Sequence, residues 1–168
     1  DTAFEATRGQ ALPIKDALTR FNEKVAKIAR DYEDAVTPSD VAAKTNKYKL
    51  DAAGNDLNRG QIGTAQVYMM QKEQYRLETE ALKVQKEALA VKMQQIAAAL
   101  EEARIKAQAA QSEYDQQAAT VNSYTSKEQL AEAQKKLSRA QSEANGYSQA
   151  AISLEKDLNE VRKQLSET

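Results

Sequence analysis

Between residues 130 and 165, apolar side chains recur at strictly alternating gaps of three and four: Leu130, Ala133, Leu137, Ala140, Ala144, Tyr147, Ala151, Leu154, Leu158, Val161 and Leu165. That spacing keeps every member on one side of a slightly underwound helix. It conflicts with the two-residue period of a strand. A chain that carries such a seam must lay long helices along one another. Two prolines and five glycines in 168 residues leave few places to interrupt them. The expected fold is all-α, an elongated antiparallel helical bundle or coiled-coil hairpin with very long helices, forming a single domain over residues 1–168. An aromatic share of 5% beside 29% charged residues is the composition of long helices, and the ordered seams argue against a disordered chain.

Residues 1–12 have no period and read as a lead-in. A first helix is expected over about 13–36, with Pro13 at its first position and a seam of Ile14, Leu18, Phe21, Val25, Ile28, Tyr32 and Ala35. Thr37-Pro38-Ser39-Asp40 should end it, because a proline pushes the preceding residue out of the helical region. The same group can cap a second helix over about 38–53, whose seam reads Val41, Thr45, Tyr48 and Ala52, with Leu50 and Leu57 off it. Residues 54–63, with three glycines and two asparagines, read as a loop. They are not a phosphate-binding loop, since no strand precedes them and no Gly-Lys-Ser/Thr closes them.

A third helix is expected over 64–120, about 85 Å at roughly 1.5 Å per residue, with Thr64 as N-cap. It carries two apolar stripes. One joins Tyr75, Leu82, Leu89, Ile96, Ala103 and Ala110 to Met93, Leu100, Ala107 and Tyr114; the other is Leu77, Val84, Val91, Ala98 and Ile105. The stripes lie on nearly opposite sides, so this helix should be clamped between two neighbours. A fourth helix, about 126–166, opens on the capping-box pattern Thr125-Ser126-Lys127-Glu128.

Charge balance and missing residue types exclude several functions. Lysine and arginine number 24 against 25 acids, with no block of five or six like charges, so no nucleic-acid partner is expected. Histidine and cysteine are absent, which removes the usual zinc ligands, thiolate nucleophiles and the side chain best suited to proton transfer at neutral pH. Carboxylates could do acid–base work, but Glu101 and Glu102 point about 100° apart, and most acids have a base three or four residues away, as in Arg139 with Glu143. The chain therefore reads as a non-enzyme with no cofactor and no metal site. Its longest wholly apolar run, residues 96–100, is far short of the roughly 20 needed to span a bilayer. It begins with Asp1 instead of Met, which suggests an exported protein, periplasmic, secreted or at the cell surface, or a fragment of a longer chain; a cytoplasmic setting is the alternative.

The seven tyrosines divide by position. Tyr32, Tyr75, Tyr114 and Tyr147 fall on seams and read as core. Tyr124 falls in the short connection before the fourth helix, beside Val121 and Asn122, where an aromatic ring at a hairpin tip can anchor a protein partner. Val121, Asn122 and Tyr124 are thus the candidate protein-binding residues. Leu57, Arg59 and Ile62 in the glycine-rich loop are the alternative site.

Residues 133–144, AQKKLSRAQSEA, resemble a stretch in the helical arms of pore-forming colicins. In that family long coiled-coil arms hold receptor-binding and translocation segments apart from the killing domain, and the toxins engage outer-membrane proteins. The chain has no glycine-rich leader, long apolar hairpin or histidine-bearing nuclease, so the resemblance implies an arm alone and transfers no functional residue. The functional expectation is a bacterial exported scaffold or adaptor, a monomeric bundle with a homo-oligomer as alternative, acting by protein–protein contact. A bacteriocin-like receptor-binding or translocation arm is a specific version of it, and an amphipathic lipid-surface binder is the competing class.

Overall fold

The computed structural model describes residues 17–121 and 126–168. These form three helices, α1 (Ala17–Asn58), α2 (Thr64–Thr120) and α3 (Lys127–Glu167), and no strand is present among the described residues. The fold is an all-α helical bundle. The lead-in and the expected start at Pro13 lie outside the described residues.

The break expected at Thr37–Asp40 does not occur, and α1 runs through Pro38. Proline removes one N–H from the ladder and crowds the carbonyl four residues back, at a cost of about 3 kcal/mol in a helix interior. Two hydroxyls bind neighbouring carbonyls around this defect: Thr37 Oγ1 donates to Glu33 O at 2.6 Å and Ser39 Oγ to Val36 O at 3.1 Å. Packing supplies the rest. Ile28 is buried, and Tyr32, Val36, Ser39, Ala43, Asn46, Leu50 and Leu57 are half-buried around the buried Ala53, giving a seam that continues past Pro38 without a break. Val41, Thr45, Tyr48 and Ala52, expected on the seam, are all exposed, whereas Leu50 and Leu57 belong to it. Small and polar members at Ser39, Ala43 and Asn46 hide the true line from a search for apolar residues.

The loop is shorter than residues 54–63. Gly54 and Asn55 are helical, and α1 ends in a left-handed cap at Gly60, whose φ is +74°. The Gly60 N–H reaches Leu57 O at 3.0 Å and the Gln61 N–H reaches Asp56 O at 2.8 Å, the paired bonds of a Schellman motif. Glycine suits this position because it has no Cβ to clash at positive φ. Helix α2 has the expected bounds, but Gly63 takes the cap position, its carbonyl accepting the Val67 N–H at 3.4 Å. In α3 the cap is Ser126, whose Oγ accepts the Gln129 N–H at 3.1 Å. All eleven seam residues of α3 are buried or half-buried.

The chain divides into two compact units. The first takes α1 up to Lys27, α2 from Gln95 and α3 up to Glu160; the second takes Ile28–Gln94 and Val161–Thr168. In the first unit each pair of helices is joined. The Phe21 ring of α1 meets Tyr147 of α3 edge-on, with centroids 5.6 Å apart, and Lys106 of α2 sets its ammonium over both rings. Lys24 pairs with Glu102 at 3.1 Å, and Arg104 with Glu155 at 3.7 Å. Leu18 of α1 fills the notch left by Gly146 of α3, where any Cβ would strike its side chain.

In the second unit α1 and α2 run side by side, with Lys92 over the Tyr32 ring at 4.6 Å. A polar layer crosses their seam. Asn46 Nδ2 donates to Gln74 Oε1, and Gln74 Nε2 to Glu78 Oε1, each at 2.9 Å. Gln74 is buried, so its amide requires these partners.

Candidate protein-contact surface

Asn122 and Tyr124 lie outside the described residues, and Val121, directly after α2, is half-buried. In the alternative site Leu57 is half-buried on the α1 seam, Ile62 is half-buried, and Arg59 is exposed. Among the described residues there is no group of acidic side chains able to hold a metal ion, and no helix is long and apolar enough to cross a membrane.

Exposed apolar side chains are concentrated elsewhere. Nine large hydrophobic residues are exposed among the described residues, and seven of them, Val41, Tyr48, Tyr68, Met69, Tyr75, Leu82 and Val91, belong to the second unit. Tyr75 and Leu82, expected in a seam, are 74% and 55% exposed. The expected two-sided clamp on α2 fails as well. Val91 is 52% exposed and Ala98 and Ile105 are exposed too, so only Leu77 and Val84 of the second stripe are partly covered. The reason is a change of register. In the second unit the covered series on α2 is Val67, Met70, Gln74, Leu77, Ala81, Val84 and Ala88, whereas in the first it is Ile96, Leu100, Ala103, Ala107, Ala110 and Tyr114. These series differ in heptad phase, and Gln74 at a seam position masks the first of them.

The exposed residues form lines. Tyr68, Tyr75 and Leu82 follow at seven-residue intervals along α2, and Val41 and Tyr48 do so along α1. A seven-residue step returns to nearly the same side of a helix, so each line is a narrow apolar rib. A shallow groove beside the α2 rib is lined by Met69, Lys72, Tyr75, Arg76, Thr79 and Glu80. A smaller one on α1 is lined by Lys44, Lys47, Tyr48 and Asp51.

Polar groups orient the α2 surface. The Arg76 guanidinium hydrogen-bonds Glu73, with its Nε 3.0 Å from Oε2, and this bond holds the Glu73 carboxyl below the ordinary glutamate range against slight desolvation. Lys72, Lys83 and Lys86 are exposed and make no ion pair among the described residues. At about 100° per residue all three fall on one flank of the tyrosine rib. On the other flank Glu78 is already engaged by Gln74.

This arrangement can hold a protein surface through apolar contact framed by basic groups. The rib is visible in the sequence as tyrosine and leucine at seven-residue steps, but only the tertiary structure shows which part of it is uncovered. The chain matches no known protein family, no curated protein and no solved structure.

Proposed function

We propose that the protein works by protein–protein contact, as a scaffold or adaptor, and that its second unit carries the contact surface. One observation carries this reading: seven of the nine exposed large hydrophobic residues among those described lie in that unit, several in heptad ribs. Isolated exposed hydrophobics are ordinary on a protein surface, but aligned aromatic ribs mark interaction sites. Tyrosine fits the role, because it supplies a large, rigid contact area and a polar tip that tolerates water while unbound.

A lipid surface is served less well. Membrane-lying helices set broad apolar faces against lysine-rich ones, whereas here single-residue ribs are interspersed with Glu73, Glu78 and Glu80.

Site-specific photocrosslinking in the source cells tests the proposal. A photoreactive residue at position 48 or 75 should give a protein adduct, and one at Ile152 of the first unit, which is also exposed, should not. Adducts at 152 alone, or co-sedimentation with anionic vesicles that Tyr75→Glu abolishes, would overturn it.

A further inference from the structure

The α2 rib has a covered end and an uncovered end, and the difference indicates its occupant. Leu89 continues the line of Tyr68, Tyr75 and Leu82 by one more heptad, and it is completely buried. Leu82, Tyr75 and Tyr68 are exposed. Within the second unit, α1 and α2 contribute residues 28–58 and 64–94, each about 45 Å of helix at roughly 1.5 Å per residue. The third helix contributes only residues 161–167, about 11 Å. Two turns of helix cannot cover a face that runs the length of the unit. The uncovered rib therefore lies on the same heptad line as a buried residue, in a unit where the third helix is short.

Resting on the contact reading above, we infer that this rib is the docking site for a helix of a partner protein, one that presents an apolar stripe of seven-residue period with an acidic flank. The period follows from Tyr68, Tyr75 and Leu82, since side chains spaced by heptads are matched by a helix with the same repeat lying alongside. The acidic flank follows from Lys72, Lys83 and Lys86, which stand on one side of the rib without an ion pair among the described residues. A second copy of the chain fits less well. An antiparallel self-pair sets the lysine flank against itself, and a parallel one sets it against Gln71, Glu78 and Gln85, whose one carboxylate already accepts from Gln74. From Tyr68 to Leu82 the rib extends about 21 Å, which suits a helix of two to three heptads.

The probe is a synthetic peptide of about three heptads with leucine at the two seam positions and glutamate at the flanking ones, compared with a twin carrying lysine flanks. Titrated against the 168-residue chain by fluorescence anisotropy, the glutamate peptide should bind and the lysine twin should bind at least tenfold more weakly. Tyr75→Ala with Leu82→Ala should weaken the glutamate peptide about tenfold while melting stays unchanged, since both side chains are exposed. Binding should also fall as salt is raised. Equal affinity for the two peptides, no binding of the glutamate peptide, or full binding by the double variant would overturn the inference. A doubling of mass in sedimentation that Tyr75→Glu abolishes would overturn it in favour of self-association. Failure of the peptide with a protein adduct persisting at position 75 rejects the acidic helix and leaves the broader contact reading standing, whereas loss of both rejects both.

Discussion

The two units solve the same packing problem with different pairs of long helices. In the first, the long segments are those of α2 and α3, the first three described turns of α1, Ala17–Lys27, lie with them, and each pair is joined by its own contact: Phe21 with Tyr147, Lys24 with Glu102, and Arg104 with Glu155. Small seam residues in α3, Ala133, Ala140 and Ala144, are all buried, which lets the helices approach closely. In the second, the long segments are those of α1 and α2, the third helix supplies its last two turns, and the α1–α2 seam gives positions to Ser39, Asn46 and Gln74. The heptad line that is buried at Ile96, Ala103 and Ala110 is exposed at Tyr75 and Leu82. A heptad repeat shows that a helix can take a neighbour along a given side. Whether the neighbour is present depends on the length of the other helices.

The comparison breaks first at the fully buried leucines. Leu154→Ala in the first unit and Leu89→Ala in the second should each cost about 2–5 kcal/mol, because both side chains are enclosed and leave a cavity. If Leu89→Ala costs less than 1 kcal/mol by urea denaturation, the second unit repacks freely and its core is not a defined one.

The polar layer comes next. Gln74→Ala removes the partner of Asn46 and should cost about 1–3 kcal/mol, whereas Asn46→Leu with Gln74→Leu should be neutral or stabilising. A destabilised double variant would show that the layer contributes more than register. The glycines give a smaller and opposite pair of effects. Gly54→Ala meets open space within a helix and should add about 0.5–1 kcal/mol, while Gly146→Ala must displace Leu18 and should show a net loss of about 1 kcal/mol.

Acid should act on the first unit through Glu102. Hydrogen bonds from Lys106 and then Lys24 hold its carboxyl below the ordinary range, so its contribution is present above the unfolded value of about 4.3 and disappears as pH falls through the lower folded value. Glu102→Gln should lower the melting temperature slightly at neutral pH, where the carboxylate is paired, and converge with the parent below about pH 4.3, so that the acid limb of the profile is flatter. The smallest effect is expected at Val91→Asp, within about 0.5 kcal/mol of the parent, since this side chain faces water. Unfolding of that variant would restore the two-sided clamp on α2 that the exposure at position 91 removes.

Much of this fold was legible in order. The α3 seam could be read completely because its members are apolar and no proline or charge interrupts the alternation. The bounds of α2 could be read because glycine-rich and polar connections flank a long uninterrupted helix. The same method failed at Pro38, where a local rule predicts a break and packing on both sides carries the helix through. It failed again at positions 41–57 and 67–81, where the buried line runs through Asn46 and Gln74 and the conspicuous apolar residues point outward. A buried amide pair is invisible to a hydrophobic period, because each partner makes the other acceptable only once the helices have met.

The candidate site shows the same division. Tyr68, Tyr75 and Leu82 stand at heptad spacing in the sequence, and nothing local distinguishes them from Leu89 or Ile96. Their exposure is a tertiary fact. By itself the sequence determined that the chain is helical, where most helices start and stop, and which side of α3 is buried, since these follow from backbone propensity, capping and a continuous apolar seam. Only the tertiary structure decided which stretch of α2 finds a third helix and which is left to water, because burial depends on the reach of segments distant in sequence.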